Sequence, residues 1–123
     1  MALTKQEQIT NVLRKLQSST PDIEGAAVIS MEGLIIASSL PASVEEDRIS
    51  AMSAALYGIG TRAAEELQRG VIDQVYIRGM NGYMITNQAG SEGLLVVIAN
   101  AKAKLGIIFL DIKRASEELS RLI

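Results

Sequence analysis

The stretch from Ser43 to Gly70 constrains the fold most, because it is the longest run that a single helix accounts for. Ser43 is a good N-cap residue, and Glu46 three positions later completes a capping-box pattern. Gly70 stands where a helix C-cap is expected. Between them Ile49, Met52, Leu56, Ile59, Ala63 and Leu67 recur at spacings of three and four, a single stripe that the periodicity assigns to a core. Ala51, Ala54, Ala55 and Gly58 lie on the opposite face, bounded by Asp47, Arg62 and Glu65. Gly58 and Gly60 each cost about 1 kcal/mol relative to alanine in a helix interior, so some other interaction must offset them. The pattern therefore predicts that a helix from a second copy of the chain lies close against the small-residue face.

The flanking segments read as shorter elements. Thr4 and Glu7 form a further capping box, and Ile9, Val12, Leu13 and Leu16 follow at helical spacing, which predicts a helix from Lys5 to Ser18. Ala26 to Ser30 and Leu34 to Ser39 read as a hairpin about a turn at Met31, Glu32 and Gly33. Leu34, Ile35 and Ile36 do not alternate with polar residues, which suggests cover on both sides. After the long helix come Val71 to Arg78, a turn over Gly79 to Gly82 carrying the Asn81-Gly82 pair, and Tyr83 to Ala89. Leu94 to Ala99 is the most apolar run and therefore the candidate for the sheet centre. In the terminal helix Leu105, Ile108, Ile112, Ala115, Leu119 and Leu122 line one face, and Lys113 with Glu117 and Arg114 with Glu118 have the spacing of surface pairs.

The order is helix, two strands, long helix, three strands, helix, or αββαβββα, over a single domain spanning residues 1–123. Placing the last strand beside the first gives an α+β sandwich with one five-stranded antiparallel sheet of order 2-1-5-4-3. The long helix then covers one face and the two terminal helices the other. Strand two is blunted by Ser38, Ser39 and Pro41, whereas Val71 to Arg78 runs eight residues without proline or glycine, with only Asp73 and Arg78 charged. An edge of that kind invites another strand. A symmetric dimer that pairs two copies of this strand would also set the two long helices side by side. The residues assigned to that interface are Ala51, Ala54, Ala55, Gly58 and Arg62 on the helix and Val71, Asp73, Val75, Tyr76 and Ile77 on the strand.

Composition argues against chemistry at this chain's own residues. It has no histidine and no cysteine, so an imidazole proton shuttle, a thiolate nucleophile and disulfides are all excluded. No catalytic, cofactor-binding or metal-ligating set is assigned, and the chain is read as not an enzyme. Gly58, Gly60 and Ala63 satisfy G-x-G-x-x-A, but in mid-helix their N–H groups are already bonded and cannot hold a pyrophosphate. Glu45, Glu46 and Asp47 complement a helix dipole rather than mark a metal site. A net charge of -2, three tyrosines, one phenylalanine and no tryptophan give no footprint for nucleic acid. No apolar run reaches the ~18 residues of a membrane span, and the N-terminus lacks a signal core, so the location expected is cytoplasmic. Arg48, Arg62, Arg69 and Arg78 raise the idea of an arginine supplied in trans, and Arg62 is the first to test because it borders the small-residue face.

Gly33-Leu34-Ile35-Ile36-Ala37-Ser38, the Ala-rich helix ending at Gly70, Gly93-Leu94-Leu95-Val96-Val97-Ile98 and Leu105-Gly106 occur in an order that resembles the Roadblock / dynein light chain family, in particular its small prokaryotic MglB-like members. The resemblance spans the whole chain. It implies a homodimer with a continuous sheet and paired long helices. It also implies a non-catalytic platform that binds a Ras-like small GTPase and modulates its nucleotide cycle, by activating hydrolysis or otherwise. The alternative that it leaves open is a nucleotide-independent structural adaptor of the dynein light chain type.

Overall fold

Helix α1 (Lys5–Ser19) leads into a hairpin of β1 (Ile23–Ser30) and β2 (Ile35–Ser39), and α2 (Glu46–Glu66) then crosses to β3 (Gln74–Gly79). Strands β4 (Gly82–Ala89) and β5 (Gly93–Asn100) and helix α3 (Leu105–Ser120) complete the chain in the computed structural model, which describes residues 2–123. The five strands form one antiparallel sheet of order β2-β1-β5-β4-β3, as the sequence predicts.

Alternation along the central strands builds a core on each face. Ala26 and Val28 of β1 and Leu95 and Val97 of β5 point to one side, where Ile9, Leu13 and Leu16 of α1 and Ile108, Ile112 and Leu119 of α3 close over them. Ala27, Ile29, Leu94 and Val96 point to the other side and meet Tyr57 and Ala54 of α2. The capping box at the start of α1 forms as predicted: the Glu7 N–H donates to Thr4 Oγ1 and the Thr4 N–H to Glu7 Oε1, each at 3.1 Å.

The ends of α2 differ from the sequence reading. Ser43 does not cap it, because residues 41–44 form a turn in which the Val44 N–H donates to the Pro41 carbonyl at 3.0 Å. Glu45 occupies the N-cap position, and the Glu46 carboxylate instead accepts from Ser38 Oγ at 2.7 Å, tying the helix start to β2. At the other end Gln68, at φ 55, takes the left-handed position expected of a glycine. The Arg69 N–H returns to the Ala64 carbonyl at 2.7 Å and the Gln68 N–H to Glu65 at 3.1 Å, the bonding of a Schellman motif. Gly70, also left-handed at φ 87, belongs to the following connection. That connection also contains Val71 and Asp73, so β3 is shorter at its start than the apolar run suggests.

Smaller differences are local. The β3–β4 hairpin turns on Met80 and Asn81, with Gly79 and Gly82 as its closing pair. Gly82, at φ 142, opens β4 where a Cβ would collide with the Ala99 carbonyl oxygen. Leu34 precedes β2 and is exposed, whereas Ile35 packs on the α2 side and Ile36 on the α1/α3 side, so the expected cover on both faces holds for the strand but not for Leu34. On α3, Arg114 pairs with Asp111 at 3.6 Å and Glu118 with Lys15 of α1 at 3.4 Å, in place of the two pairs read from spacing.

Candidate interaction surface

Helix α2 lies on the sheet with a face rotated by about a third of a turn from the one its periodicity suggests. Its buried residues are Ser50, Ser53, Tyr57 and Ala64, with Ala54, Gly60 and Thr61 half-buried beside them. The large apolar stripe points away: Met52 is 50% exposed and Ile59 63%, Ala63 and Leu67 are exposed, and Ile49 and Leu56 lie half-buried on the flank.

Close approach and local hydrogen bonding explain the rotation. A Cβ on Gly60 would stand 2.6 Å from Val75 Cγ2, so the helix can rest on β3 only where that position is glycine. A Cβ on Gly33 would stand 3.1 Å from the Ala51 Cα, which brings the β1–β2 turn against the same helix. The hydroxyls that enter this contact bond to their own helix. Ser50 Oγ donates to Asp47 O at 3.0 Å, Ser53 Oγ to Ile49 O at 2.6 Å and Thr61 Oγ1 to Tyr57 O at 2.9 Å. Their burial therefore leaves no unpaired donor. Tyr57 bridges the gap to the next connection, its Oη donating to the Ile72 carbonyl at 3.0 Å. Burial, and secondarily the Asp73 carboxylate, hold its phenol pKa above the usual value.

The residues assigned to the interface from sequence thus divide. Ala51, Ala55, Gly58 and Arg62 are exposed on α2, and a Cβ on Gly58 would meet nothing within 4 Å. Ala54 and Val75 face inward, into the core between α2 and the sheet, Ala54 because α2 is rotated about its axis and Val75 because the strand's alternation points it to the α2 side. Val71 and Asp73 are exposed but precede the strand. Tyr76 and Ile77 are on the strand, 48% and 45% exposed. Tyr76 points to the α3 side and meets the Phe109 ring edge-on at 5.5 Å, while Val75 packs against α2. Met52, Leu56, Ile59 and Ala63 complete the outward apolar face. Their spacing was legible, but spacing does not say which side of an amphipathic helix meets its own sheet.

The two sheet edges are not equivalent. On β2 the Ile36 carbonyl accepts from Gln6 Nε2 of α1 at 2.7 Å, so that edge is partly satisfied from within the chain. No such bond reaches β3 among the described residues. Among those residues, too, no group of three or more acidic side chains could hold a metal ion, and no helix is long and apolar enough to cross a membrane.

An antiparallel sheet covered by helices on both faces, with a long crossover helix that turns much of its apolar stripe outward, defines a class of small α+β modules. The chain belongs to the Roadblock/LC7 domain family, whose model matches residues 9–99. An uncharacterized protein of Methanocaldococcus jannaschii is 40% identical over 93% of this chain and 98% of its own length. The gliding protein MglB from Thermus thermophilus superposes with a TM-score of 0.86 at 23% identity, covering 99% of this chain and 93% of that one. An MglB with a tetrameric arrangement superposes with a TM-score of 0.90 at 23% identity, covering 99% and 92%. At these identities the two MglB structures share the fold, and the MglB-like resemblance read from sequence holds at that level.

Proposed function

We propose that two copies of this chain form a homodimer through α2 and β3, and that the dimer is a non-catalytic platform that binds a Ras-like small GTPase and modulates its nucleotide cycle. The observation that carries this reading is the apolar stripe Met52, Leu56, Ile59 and Ala63, turned away from the core on the same side of the sheet as Ile77 of the free strand. Contiguous apolar surface of this kind marks an interaction site. The dimer face is thus the large-residue stripe together with Ala55, with Ala51, Gly58 and Arg62 at its margin. The MglB with a tetrameric arrangement is itself an assembly of this fold, which supports self-association here. The family resemblance supports the GTPase as partner.

A platform of this kind needs little energy to act. Contacts that differ by about 1.4 kcal/mol between two conformations of a bound GTPase shift their ratio tenfold. The deciding experiment immobilises the dimer and offers it lysate from the source organism with a non-hydrolysable GTP analogue or with GDP, followed by identification by mass. Retention of a small GTPase in one nucleotide state, and a changed hydrolysis or exchange rate when that GTPase is purified and recombined, is the outcome expected. Retention indifferent to nucleotide would replace this reading with that of a structural adaptor.

A further inference from the structure

We propose that the two β3 strands of the dimer pair antiparallel in one register, centred on Tyr76 opposite the partner's Tyr76; this rests on the homodimer reading above. The hydrogen-bonding phase of the edge decides it. The Gln88 N–H donates to the Asp73 carbonyl at 2.8 Å, and the β3–β4 register runs from Gln74 opposite Asn87 to Gly79 opposite Gly82. In an antiparallel pair, bonded and non-bonded residues alternate. Asp73, Val75, Ile77 and Gly79 therefore turn their backbone groups toward β4. Gln74, Tyr76 and Arg78 turn theirs to the open edge.

Symmetry limits the choice further. Antiparallel pairing of one edge with its own copy requires a two-fold axis perpendicular to the sheet, which keeps each residue on its own face. Opposed residues must then share parity, so the axis passes through a residue position. The open-edge residues Gln74, Tyr76 and Arg78 are centred on Tyr76. Only an axis at Tyr76 satisfies all three, with Gln74 opposite the partner's Arg78, Tyr76 opposite itself, and two bonds in each pair. An axis at Val75 would pair Arg78 with a residue ahead of the strand, and one at Ile77 would pair Gln74 with the hairpin turn.

The side chains agree with the backbone. The Tyr76-centred register sets Val75 against the partner's Ile77 on the α2 side, apolar against apolar, twice. It sets the two Tyr76 rings side by side on the α3 side, each already edge-on to its own Phe109. The axis at Val75 would instead place Ile77 opposite the partner's Asp73.

The chain has no cysteine, so single replacements report the register directly. Opposed bonded residues stand about 5.5 Å apart at Cα, within disulfide reach, whereas diagonal neighbours stand about 7–8 Å apart. Tyr76→Cys should form a disulfide-linked dimer on mild oxidation, and Val75→Cys mixed with Ile77→Cys should link to each other but not to themselves. A dimer that cross-links through Val75→Cys or Ile77→Cys alone overturns the register and keeps the dimer. A dimer in which none of the three links overturns β3 as the seam. Hydrogen exchange on the unmodified protein gives a second reading: the amides of Gln74, Tyr76 and Arg78 should slow by about tenfold or more between dilute and concentrated samples. A monomer at every concentration, by sedimentation equilibrium, would fail the homodimer reading itself.

Discussion

Two glycines of α2 sit only two positions apart and have opposite surroundings. Gly58 faces open space, whereas a Cβ on Gly60 would meet Val75 Cγ2 at 2.6 Å. Gly60→Ala should therefore destabilise the fold by about 1–3 kcal/mol although alanine is the better helix former, because the helix must rise off β3 to admit the methyl group. Gly58→Ala should leave the fold as stable or raise its stability by up to about 1 kcal/mol. Urea unfolding of both variants at one protein concentration separates the two. Tyr57 allows a similar comparison: Tyr57→Phe removes the bond to the Ile72 carbonyl and should cost about 1 kcal/mol at neutral pH. Its phenol pKa is raised in the folded state, first by burial and then by Asp73. The neutral ring's contribution is therefore complete below the unfolded value and is lost as pH rises through the folded one. Unfolding followed from neutral into alkaline pH should fall less steeply for Tyr57→Phe than for the wild type, and equal slopes would show that another group governs the alkaline limb. Glu7 works in the opposite direction, because the Thr4 N–H and then the Thr4 hydroxyl lower its pKa. Its capping contribution is present above the unfolded value and lost as pH falls through the folded one.

At the level of elements, α2 shows what a sequence can and cannot disclose. The existence of the helix, its length to within a few residues and its apolar stripe are all written in the spacing of Ile49, Met52, Leu56 and Ile59. The side on which it lies is decided by packing distance: Ser50, Ser53, Gly60 and Thr61 are small, and their hydroxyls are satisfied by the turn behind them, so they can approach a sheet closely. Hydrophobicity ranks those residues below Met52, Leu56 and Ile59 for burial, which is why periodicity alone assigns the wrong face. The sheet order was legible because Leu94 to Ala99 is too apolar for an edge, and β2 is too short and polar for a centre. The start of β3 was not, since Val71 reads as strand but follows the left-handed Gly70. The orientation of α2 leads to a direct test. Ile59→Asp places a carboxylate on the outward stripe without touching the core, so the variant should keep its circular dichroism spectrum. Its self-association should weaken by about 100-fold or more, because a charge cannot be desolvated there without a partner. An unchanged dissociation constant in sedimentation equilibrium would remove the stripe from the interface.

For the whole molecule, the central question is which hydrophobic surface exists only to be covered. The core between α2 and the sheet is the thinner of the two, built on Ala27, Ile29, Tyr57, Leu94 and Val96, while α1 and α3 bury a far larger set on the other face. The layer holding α2 is thus weakly supported from below and carries its larger side chains above, so a second copy that covers them would hold α2 down from outside. Folding and association are then linked, and stability must depend on protein concentration. A hundredfold rise in concentration adds about 2.7 kcal/mol per dimer, which for a dimer of this size raises the unfolding temperature by about 5–10 °C. Differential scanning calorimetry across that range should show this rise for the wild type and none for Ile59→Asp. The variant's transition should also match the wild type's at the dilute limit, since both then unfold from a monomer with the same core. A wild-type transition that stays fixed across the range would mean that the outward face of α2 is not buried by another copy of this chain, which would leave it free for a different protein.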